Sequence, residues 1–159
     1  MATMIVAVVG ASQPRPESLE KAEAVGRELA KRGCTLICGG LGGIMEAACR
    51  GAREAGGRTV GVLPGREPAE ANRFVELPIV TGMGEARNLI IVLSADAVIA
   101  IDGGYGTLSE IAFALANQRP VVGLSTWKVA SENFEDVPIY RTEDPVDAVE
   151  HAIRAAEGK

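Results

Sequence analysis

Five short apolar runs, separated by segments with helical spacing, constrain the fold of this chain more than any other feature. The runs are nearly continuous in Val, Ile, Leu, Ala and Cys, and they lie at 4–9, 34–38, 59–63, 97–101 and 120–124. Such runs are typical of strands buried on both faces of a parallel sheet. The segments with helical spacing lie between them, at 17–32, 42–55, 85–94 and 107–118. The alternation predicts an α/β fold, a doubly wound, Rossmann-like and mostly parallel sheet with helices on both faces.

Further elements extend this predicted sheet. Residues 77–80 predict a strand, and residues 137–140 predict another strand at an edge. Asp144 and Pro145 are typical of a helix start, with Pro at the first helical position, and we expect this helix to end near residue 156. Because 159 residues suffice for one domain with a sizeable core, we expect a single domain over 1–159.

The composition narrows the function classes. The formal net charge of -5 opposes a nucleic-acid surface, which needs a basic stripe. No apolar run reaches membrane-spanning length, and Met1–Met4 lacks the basic start of a signal peptide, so we expect a cytoplasmic protein that does not contact membranes. With one histidine and no Cys-x-x-Cys pair, the sequence offers no ligand set for zinc, and no metal site is predicted.

Three glycine turns follow strands of the predicted sheet. They are Gly10-Ala11-Ser12, Gly39-Gly40-Leu41-Gly42-Gly43 and Gly103-Gly104-Tyr105-Gly106. Open parallel sheets bind ligands beyond the carboxyl ends of their strands, and glycines there let a phosphate approach the backbone. The turns therefore predict a crevice for a phosphate-bearing, nucleotide-sized ligand, and the alternative is that they are structural turns only. The first turn does not match the Gly-x-Gly-x-x-Gly motif of dinucleotide sites, and no turn continues as a P-loop.

The segment from Asp102 to Glu110 is the most informative of these turns. It has the pattern of a glycine turn between a strand and a helix. A helix entered this way points its free N–H groups and the positive end of its dipole at the turn, so we expect an anion over Gly104–Thr107. Glu110 is expected to face the same opening and to reach a hydroxyl or a leaving group, unless it only complements the helix dipole. Asp102 either binds a ligand hydroxyl or caps the turn.

A second candidate segment follows the strand at 77–80 and contains Met83, Arg87 and Asn88. Its position at the carboxyl end of a strand brings these residues toward the predicted crevice. The Arg87 guanidinium has the donors to clamp a phosphate or to stabilise a developing negative charge. The alternative for Arg87 is a surface salt bridge with Glu85 or a neighbouring residue. We expect all three residues to contact the ligand.

The residues after Asn88 predict an oligomer. Leu89–Leu93 is apolar in succession, whereas a helix of a doubly wound fold normally has one polar face. The sheet covers one side of such a helix, and a partner subunit is the simplest cover for the other side. Phe113 and the alanine-rich helix around it are expected to join this contact. The minimum assembly is then a two-fold homodimer, with a higher homo-oligomer as the alternative.

Three segments together resemble the Lonely Guy family, whose members are often mislabelled as lysine decarboxylases. They are Gly39-Gly40-Leu41-Gly42-Gly43-Ile44-Met45, Met83–Asn88 and Gly103-Gly104-Tyr105-Gly106-Thr107-Leu108-Ser109-Glu110. The resemblance implies a phosphoribohydrolase, which cuts the N-glycosidic bond of a nucleoside 5'-monophosphate and releases a base and ribose 5-phosphate. It also implies that Gly104, Gly106 and Thr107 hold the phosphate, and that Arg87 and Glu110 are needed for cleavage.

Two positions depart from the hydrolase pattern. Asp102 stands where the hydrolases carry a proline, and Asn88 stands where they carry a lysine. Here the chain is more similar to the molybdenum-cofactor carrier proteins of algae, a resemblance that implies homo-oligomers binding a phosphate-bearing pterin without transforming it. Two functions therefore stay open, a phosphoribohydrolase and a non-catalytic carrier or sensor of a phosphorylated cofactor. The expected ligand is a phosphate-bearing nucleotide or pterin, and no further cofactor is expected.

Overall fold

The computed structural model describes residues 2–158, which form one seven-stranded parallel sheet flanked by five α-helices. The strands are β1 (Ile5–Gly10), β2 (Thr35–Cys38), β3 (Arg58–Leu63), β4 (Leu77–Val80), β5 (Ala97–Ile101), β6 (Val121–Leu124) and β7 (Ile139–Arg141). The helices are α1 (Pro16–Lys31), α2 (Ile44–Glu54), α3 (Arg87–Ser94), α4 (Tyr105–Ala116) and α5 (Pro145–Glu157). Two short 3-10 helices lie at Pro68–Glu70 and Gly84–Ala86. The predicted fold class is confirmed.

The strand order creates a switch point between β1 and β5. In the order β4-β3-β2-β1-β5-β6-β7, the chain first builds outward from β1 to β4 and then crosses back to the other side of β1. Gly10 at the end of β1 pairs with Ile101 at the end of β5. The loops after these two strands therefore leave the sheet side by side, and a crevice at such a point is where doubly wound folds bind ligands.

Both faces of the sheet are buried, as the continuous apolar runs predict. In β1, Val6 and Val8 pack in the core beneath α1, α2 and α5, whereas Ala7 and Val9 pack in the core beneath α3 and α4. Because successive side chains of a strand point to opposite faces, one uninterrupted apolar run supplies both cores. This is the physical reason that the runs lack polar alternation.

Three helices begin two residues away from their predicted starts, and α1 begins one residue before its predicted start. The helix predicted at 107–118 begins at Tyr105. Gly106 is tolerated in its first turn, because the first N–H groups of a helix have no intrahelical acceptor in any case. The helix predicted at 85–94 begins at Arg87, after the 3-10 turn Gly84–Ala86. The helix predicted at 42–55 begins at Ile44, since Gly43 has a φ of 68° and so lies outside the helical region.

The C-terminal part follows the prediction closely. The predicted edge strand at 137–140 is present as β7 and lies two residues later at its start. Asp144 caps α5 by accepting a hydrogen bond from the backbone N–H of Val146, and Pro145 is the first helical residue. Across residues 2–158, none of the helices combines the length and the apolar character needed to cross a bilayer.

Candidate functional site

A cavity of about 360 Å³ opens at the switch point between β1 and β5. Its walls come from the loops after β1, β2 and β5 and from the first turns of α3 and α4. The lining residues are Val9, Gly10, Ala11, Ser12, Gly39, Leu41, Met45, Glu85, Arg87, Asn88, Gly104, Tyr105, Gly106, Thr107 and Glu110. A cavity of this size is in the range of small-molecule sites.

The structure brings residues from all the predicted segments together around this cavity. Each of the three glycine turns contributes, and so do Arg87, Asn88 and Glu110. Some predicted contact residues do not line the cavity, although the structure describes them: Gly40, Gly42, Gly43, Met83, Asp102 and Gly103. Met83 is about half exposed, and a Cβ on Gly40, Gly43 or Gly103 would contact neighbouring atoms, whereas a Cβ on Gly42 would meet none of the described atoms within 4 Å. Ligand contact with any of these residues stays a prediction.

The first turn of α4 presents an open helix N-terminus to the cavity. Gly104 is the N-cap residue and has an extended backbone, and among residues 2–158 no side chain caps this end. The first backbone bond of the helix runs from Leu108 N–H to the Gly104 carbonyl, at 3.1 Å. The preceding N–H groups therefore lack intrahelical acceptors and, with the helix dipole, favour an anion. Thr107 is buried in the same turn and lines the cavity.

Asp102 and Gly103 shape the turn ahead of this helix. Asp102 has a φ of 56° and Gly103 a φ of 127°, and a Cβ on Gly103 would lie 2.6 Å from the Thr107 Cβ. The Asp102 carboxylate accepts hydrogen bonds from the backbone N–H of Gly103 at 2.8 Å and of Arg15 at 3.2 Å. Burial acts to raise the pKa of Asp102, but these donors outweigh it and hold the pKa below its usual value. Asp102 thus ties the β1–α1 loop to the β5–α4 turn.

Arg87 is a buried side chain, so the alternative of a surface salt bridge with Glu85 is wrong. It is 8% exposed, and its Nε donates to the Val62 carbonyl at 2.9 Å. Its Nη2 donates to the Gly39 carbonyl at 3.4 Å, and its Nη1 donates to Asn88 Oδ1. Burial lowers the pKa of the Arg87 guanidinium, and the nearby Glu110 acts in the opposite direction. The guanidinium is thereby fixed at the cavity floor.

Glu110 is also 8% exposed and faces the cavity from the second turn of α4. Burial raises the pKa of its carboxyl to about 8, although the Arg87 charge acts to lower it. At neutral pH the group is therefore mostly protonated and able to donate a proton or a hydrogen bond into the cavity. The same burial makes it more than an exposed carboxylate that complements the helix dipole.

Ser109 connects these groups and was not singled out from the sequence. Asn88 Nδ2 donates to Ser109 Oγ at 3.1 Å, and Ser109 Oγ donates to the Gly106 carbonyl at 2.6 Å. Since Asn88 Oδ1 accepts from Arg87, the amide links the buried guanidinium to the first turn of α4. The Gly-Gly-x-Gly-Thr-x-Ser pattern contains Ser109, but the bond to Asn88 joins residues 21 positions apart and has no sequence signal.

Trp127 is another residue that the sequence left unassigned. It follows β6, and its indole Nε1 donates to the Gly104 carbonyl at 2.9 Å. Its ring packs against Tyr105, with centroids 5.8 Å apart and planes at 32°. The lining residues Val9, Leu41 and Met45 were also missed, because they are apolar residues within a strand, a turn and a helix and resemble ordinary core residues.

Comparison with known proteins places the chain in a family. Residues 3–150 match the SLOG cluster4 family. The chain belongs to this family. The Lonely Guy-like resemblance drawn from the three motifs is therefore confirmed, and its molybdenum-cofactor branch is supported by the structures described next.

Two proteins of different length are similar in sequence to the SLOG cluster4 chain. A protein of Archaeoglobus fulgidus is 42% identical over 156 residues, which is 98% of this chain and 99% of the relative. A cytokinin riboside 5'-monophosphate phosphoribohydrolase of Mycobacterium tuberculosis is 38% identical over 135 residues, which is 77% of this chain and 71% of the enzyme. Several other enzymes of that name are matched over 44% to 59% of their length.

Two solved structures match the SLOG cluster4 fold over nearly the whole chain. The molybdenum cofactor binding protein of Rippkaea orientalis has a TM-score of 0.89 and 38% identity, covering 97% of this chain and 98% of that one. The molybdenum cofactor carrier protein of Chlamydomonas reinhardtii has a TM-score of 0.87 and 35% identity, covering 99% of this chain and 100% of that one. The likeness to cofactor-binding proteins thus extends further along the chain than the likeness to the hydrolases.

Proposed function

We propose that this protein binds a small phosphorylated ligand in the switch-point cavity and holds it without cleaving it. The observation that carries the proposal is the uncapped N-terminus of α4, whose first turn opens on a cavity of about 360 Å³. The phosphate would lie over Gly104–Thr107, and the remainder of the ligand would extend from there along the cavity wall. A phosphate at that point gains the free N–H donors and the helix dipole together.

Two observations favour holding over cleavage. The Arg87 guanidinium already donates to Val62, Gly39 and Asn88, so three of its N–H groups have acceptors within the protein before a ligand arrives. Two solved structures that match this chain over nearly their whole length are named for binding or carrying the molybdenum cofactor. A phosphorylated cofactor is therefore the ligand class that we propose first, as cargo of the site.

The test is to identify the bound molecule and to measure phosphate recognition directly. Protein purified under native conditions would be denatured, and the released small molecules would be analysed by mass spectrometry. In parallel, calorimetry would titrate the protein with inorganic phosphate and with ribose 5-phosphate. We expect a phosphorylated compound in the first experiment and competing binding of both anions in the second. Failure of both anions to bind at millimolar concentration would refute the proposal.

A second candidate function, hydrolysis of nucleoside 5'-monophosphates, is favoured by Glu110. Its pKa of about 8 keeps a proton available at neutral pH, directly at the cavity wall. In such a reaction the base would leave with the glycosidic electron pair and take the Glu110 proton. The carboxylate would then stabilise the positive charge at the sugar, and water would add to the sugar carbon and return a proton to Glu110.

This candidate is tested by assaying free base from a panel of purine and pyrimidine monophosphates at high protein concentration. The matched control is Glu110→Gln, which keeps the size and the neutral state of the side chain but cannot transfer the proton. Base release by the natural protein that is lost in Glu110→Gln would establish the hydrolase. Absence of release from the whole panel would exclude it and leave the binding function standing.

We also propose that the protein is a homo-oligomer that associates through the outer side of α3. Ile91 and Val92 are buried against the sheet, whereas Leu93 is 45% exposed. Light scattering after size exclusion would give the mass in solution, with Leu93→Asp as the disrupting variant and Val146→Asp as a control at another exposed apolar position. A monomeric mass for the natural protein at micromolar concentration would refute this assembly.

A further inference from the structure

Tyr105 is both highly exposed and part of the candidate site. It is 83% exposed, the most exposed of the large hydrophobic side chains among residues 2–158, and it lines the rim of the cavity. It is also the first residue of α4, directly beside the turn proposed to hold phosphate. An aromatic ring left open to solvent at the rim of a polar site is a feature of ligand recognition, since its apolar face gains most when a flat partner covers it.

Trp127 fixes this ring relative to the phosphate turn. The indole packs against Tyr105 at 5.8 Å and donates from Nε1 to the Gly104 carbonyl at 2.9 Å. The segment carrying Trp127 is anchored as well, because Arg141 Nη2 donates to the Trp127 carbonyl at 2.6 Å and Thr126 Oγ1 donates to the Asp102 carbonyl at 2.6 Å. The two rings are therefore positioned by the same backbone that forms the anion site.

We propose that Tyr105 and Trp127 form a stacking subsite for a planar heteroaromatic ring carried by the phosphorylated ligand. The inference rests on the proposed phosphate site and adds the chemical class of the group attached to the phosphate. Its ring would stack on Tyr105 while its phosphate occupies Gly104–Thr107, and the indole would back the tyrosine and hold its angle. Purine and pterin share this flat, hydrogen-bonding ring chemistry, and both stack on aromatic side chains.

The chain has a single tryptophan, so tryptophan fluorescence, excited selectively over tyrosine, reports on this subsite alone. The full-length protein would be titrated with AMP, with ribose 5-phosphate and with inorganic phosphate. We expect AMP to quench Trp127 emission and to bind about 10-fold more tightly than ribose 5-phosphate, the gain typical of one stacked base. Ribose 5-phosphate should compete with AMP without quenching. Calorimetry with a pterin monophosphate, compared with AMP, would then decide which ring is preferred.

Two variants separate the stacking subsite from the phosphate site. Tyr105→Leu should reduce AMP affinity to that of ribose 5-phosphate and leave ribose 5-phosphate affinity unchanged. The control is Phe134→Leu, which removes another highly exposed aromatic ring away from the cavity and should change neither affinity. The high exposure of Tyr105 means that the variant should fold normally, which thermal unfolding would verify.

The possible results distinguish failure of the stacking subsite from failure of the phosphate site. Equal affinity for AMP and ribose 5-phosphate in the natural protein, or unchanged AMP affinity in Tyr105→Leu, would overturn the stacking subsite and leave the phosphate site intact. Failure of phosphate, ribose 5-phosphate and AMP alike to bind would overturn the proposed function and the subsite with it.

Discussion

The two glycine turns that precede α2 and α4 have similar sequences but opposite surroundings. The turn before α2 is filled by protein: Ile44 N–H donates to the Ala11 carbonyl at 3.0 Å, and Asn72 Nδ2 donates to the Leu41 carbonyl at 2.8 Å. A Cβ on Gly43 would lie 2.5 Å from the Ser12 carbonyl oxygen. Before α4, in contrast, a Cβ on Gly104 would meet no atom of the described chain within 4 Å.

Glycine thus serves two separate purposes at one edge of the sheet. At Gly43 it allows the β1–α1 loop to pack against the start of α2, so that a backbone carbonyl satisfies a helix N–H group. At Gly104 it keeps space open over N–H groups that have no intrahelical acceptor. Loss of glycine should therefore cost stability at Gly43 and, if the proposed phosphate site is correct, ligand affinity at Gly104.

The largest expected effect is at Gly43. Gly43→Ala combines a φ of 68° with close contacts to the backbone carbonyls of Ala11 and Ser12, so the free energy of unfolding should fall by about 4 kcal/mol or more. Urea unfolding measures the loss. The matched control is Gly42→Ala in the same turn, where a Cβ meets no described atom within 4 Å and the change should stay within about 1 kcal/mol. Equal stability of the two variants would contradict the packing role of this turn.

The next largest effect is a pH dependence of stability that arises from Glu110, the buried carboxyl group on α4. Its pKa is about 8 in the folded protein and 4.5 as the ordinary value, so the unfolded chain loses the proton first as pH rises. The group therefore lowers the free energy of unfolding between pH 4.5 and 8, by about 2–3 kcal/mol between pH 5 and 7.

Glu110→Gln should lack this decline and be more stable than the natural protein at pH 8. Urea unfolding of both proteins at a series of pH values gives the difference directly, and subtracting one curve from the other removes the contribution of other titrating groups. A pH-independent difference between the two proteins would show that the carboxyl ionises normally in the folded state.

A smaller effect in free energy is expected at Gly104. Gly104→Ala places a methyl group over the open helix end without a clash and without a positive φ, so stability should stay within about 0.5 kcal/mol of the natural protein. Its affinity for ribose 5-phosphate should fall about 10-fold, which corresponds to about 1.4 kcal/mol. Calorimetry and urea unfolding on the same preparation check both statements. Unchanged affinity for ribose 5-phosphate would contradict the proposed role of Gly104 in ligand binding.

The smallest expected effect is at Asp102, which begins the second turn. Asp102→Asn keeps a residue type that tolerates the φ of 56° and removes the charge that accepts from Arg15 and Gly103. We expect a loss of about 1 kcal/mol at pH 7. Because the folded pKa is lowered, the contribution is present above the ordinary value of 3.8 and is lost as pH falls below it. A loss that persists unchanged at pH 3 would contradict a charge effect.

The prediction of the fold succeeded where a local pattern has one physical meaning. Val6 to Val9 supply two cores in alternation, and only a strand covered on both faces needs such a run. The candidate site was found from residues at the ends of strands, because the carboxyl ends of parallel strands share one edge. Helix starts were less accurate, since Tyr105 and Gly106 resemble turn residues although they form the first turn of α4.

The site contacts that were missed join residues far apart in the chain. The bond from Trp127 Nε1 to the Gly104 carbonyl spans 23 positions, and that from Arg87 Nε to the Val62 carbonyl spans 25. No periodicity records such pairs, because they depend on how loops after different strands meet. The same holds for the burial that raises the pKa of Glu110.

The parallel sheet and the common edge of its glycine turns follow from the sequence alone, because they depend on apolar periodicity and local backbone preferences. Which helix end is open depends instead on the tertiary structure. The Ala11 carbonyl occupies the N-terminus of α2, while the N-terminus of α4 faces the cavity between β1 and β5. The reason is that a helix end is satisfied by whatever the fold brings against it, and that partner comes from another part of the chain.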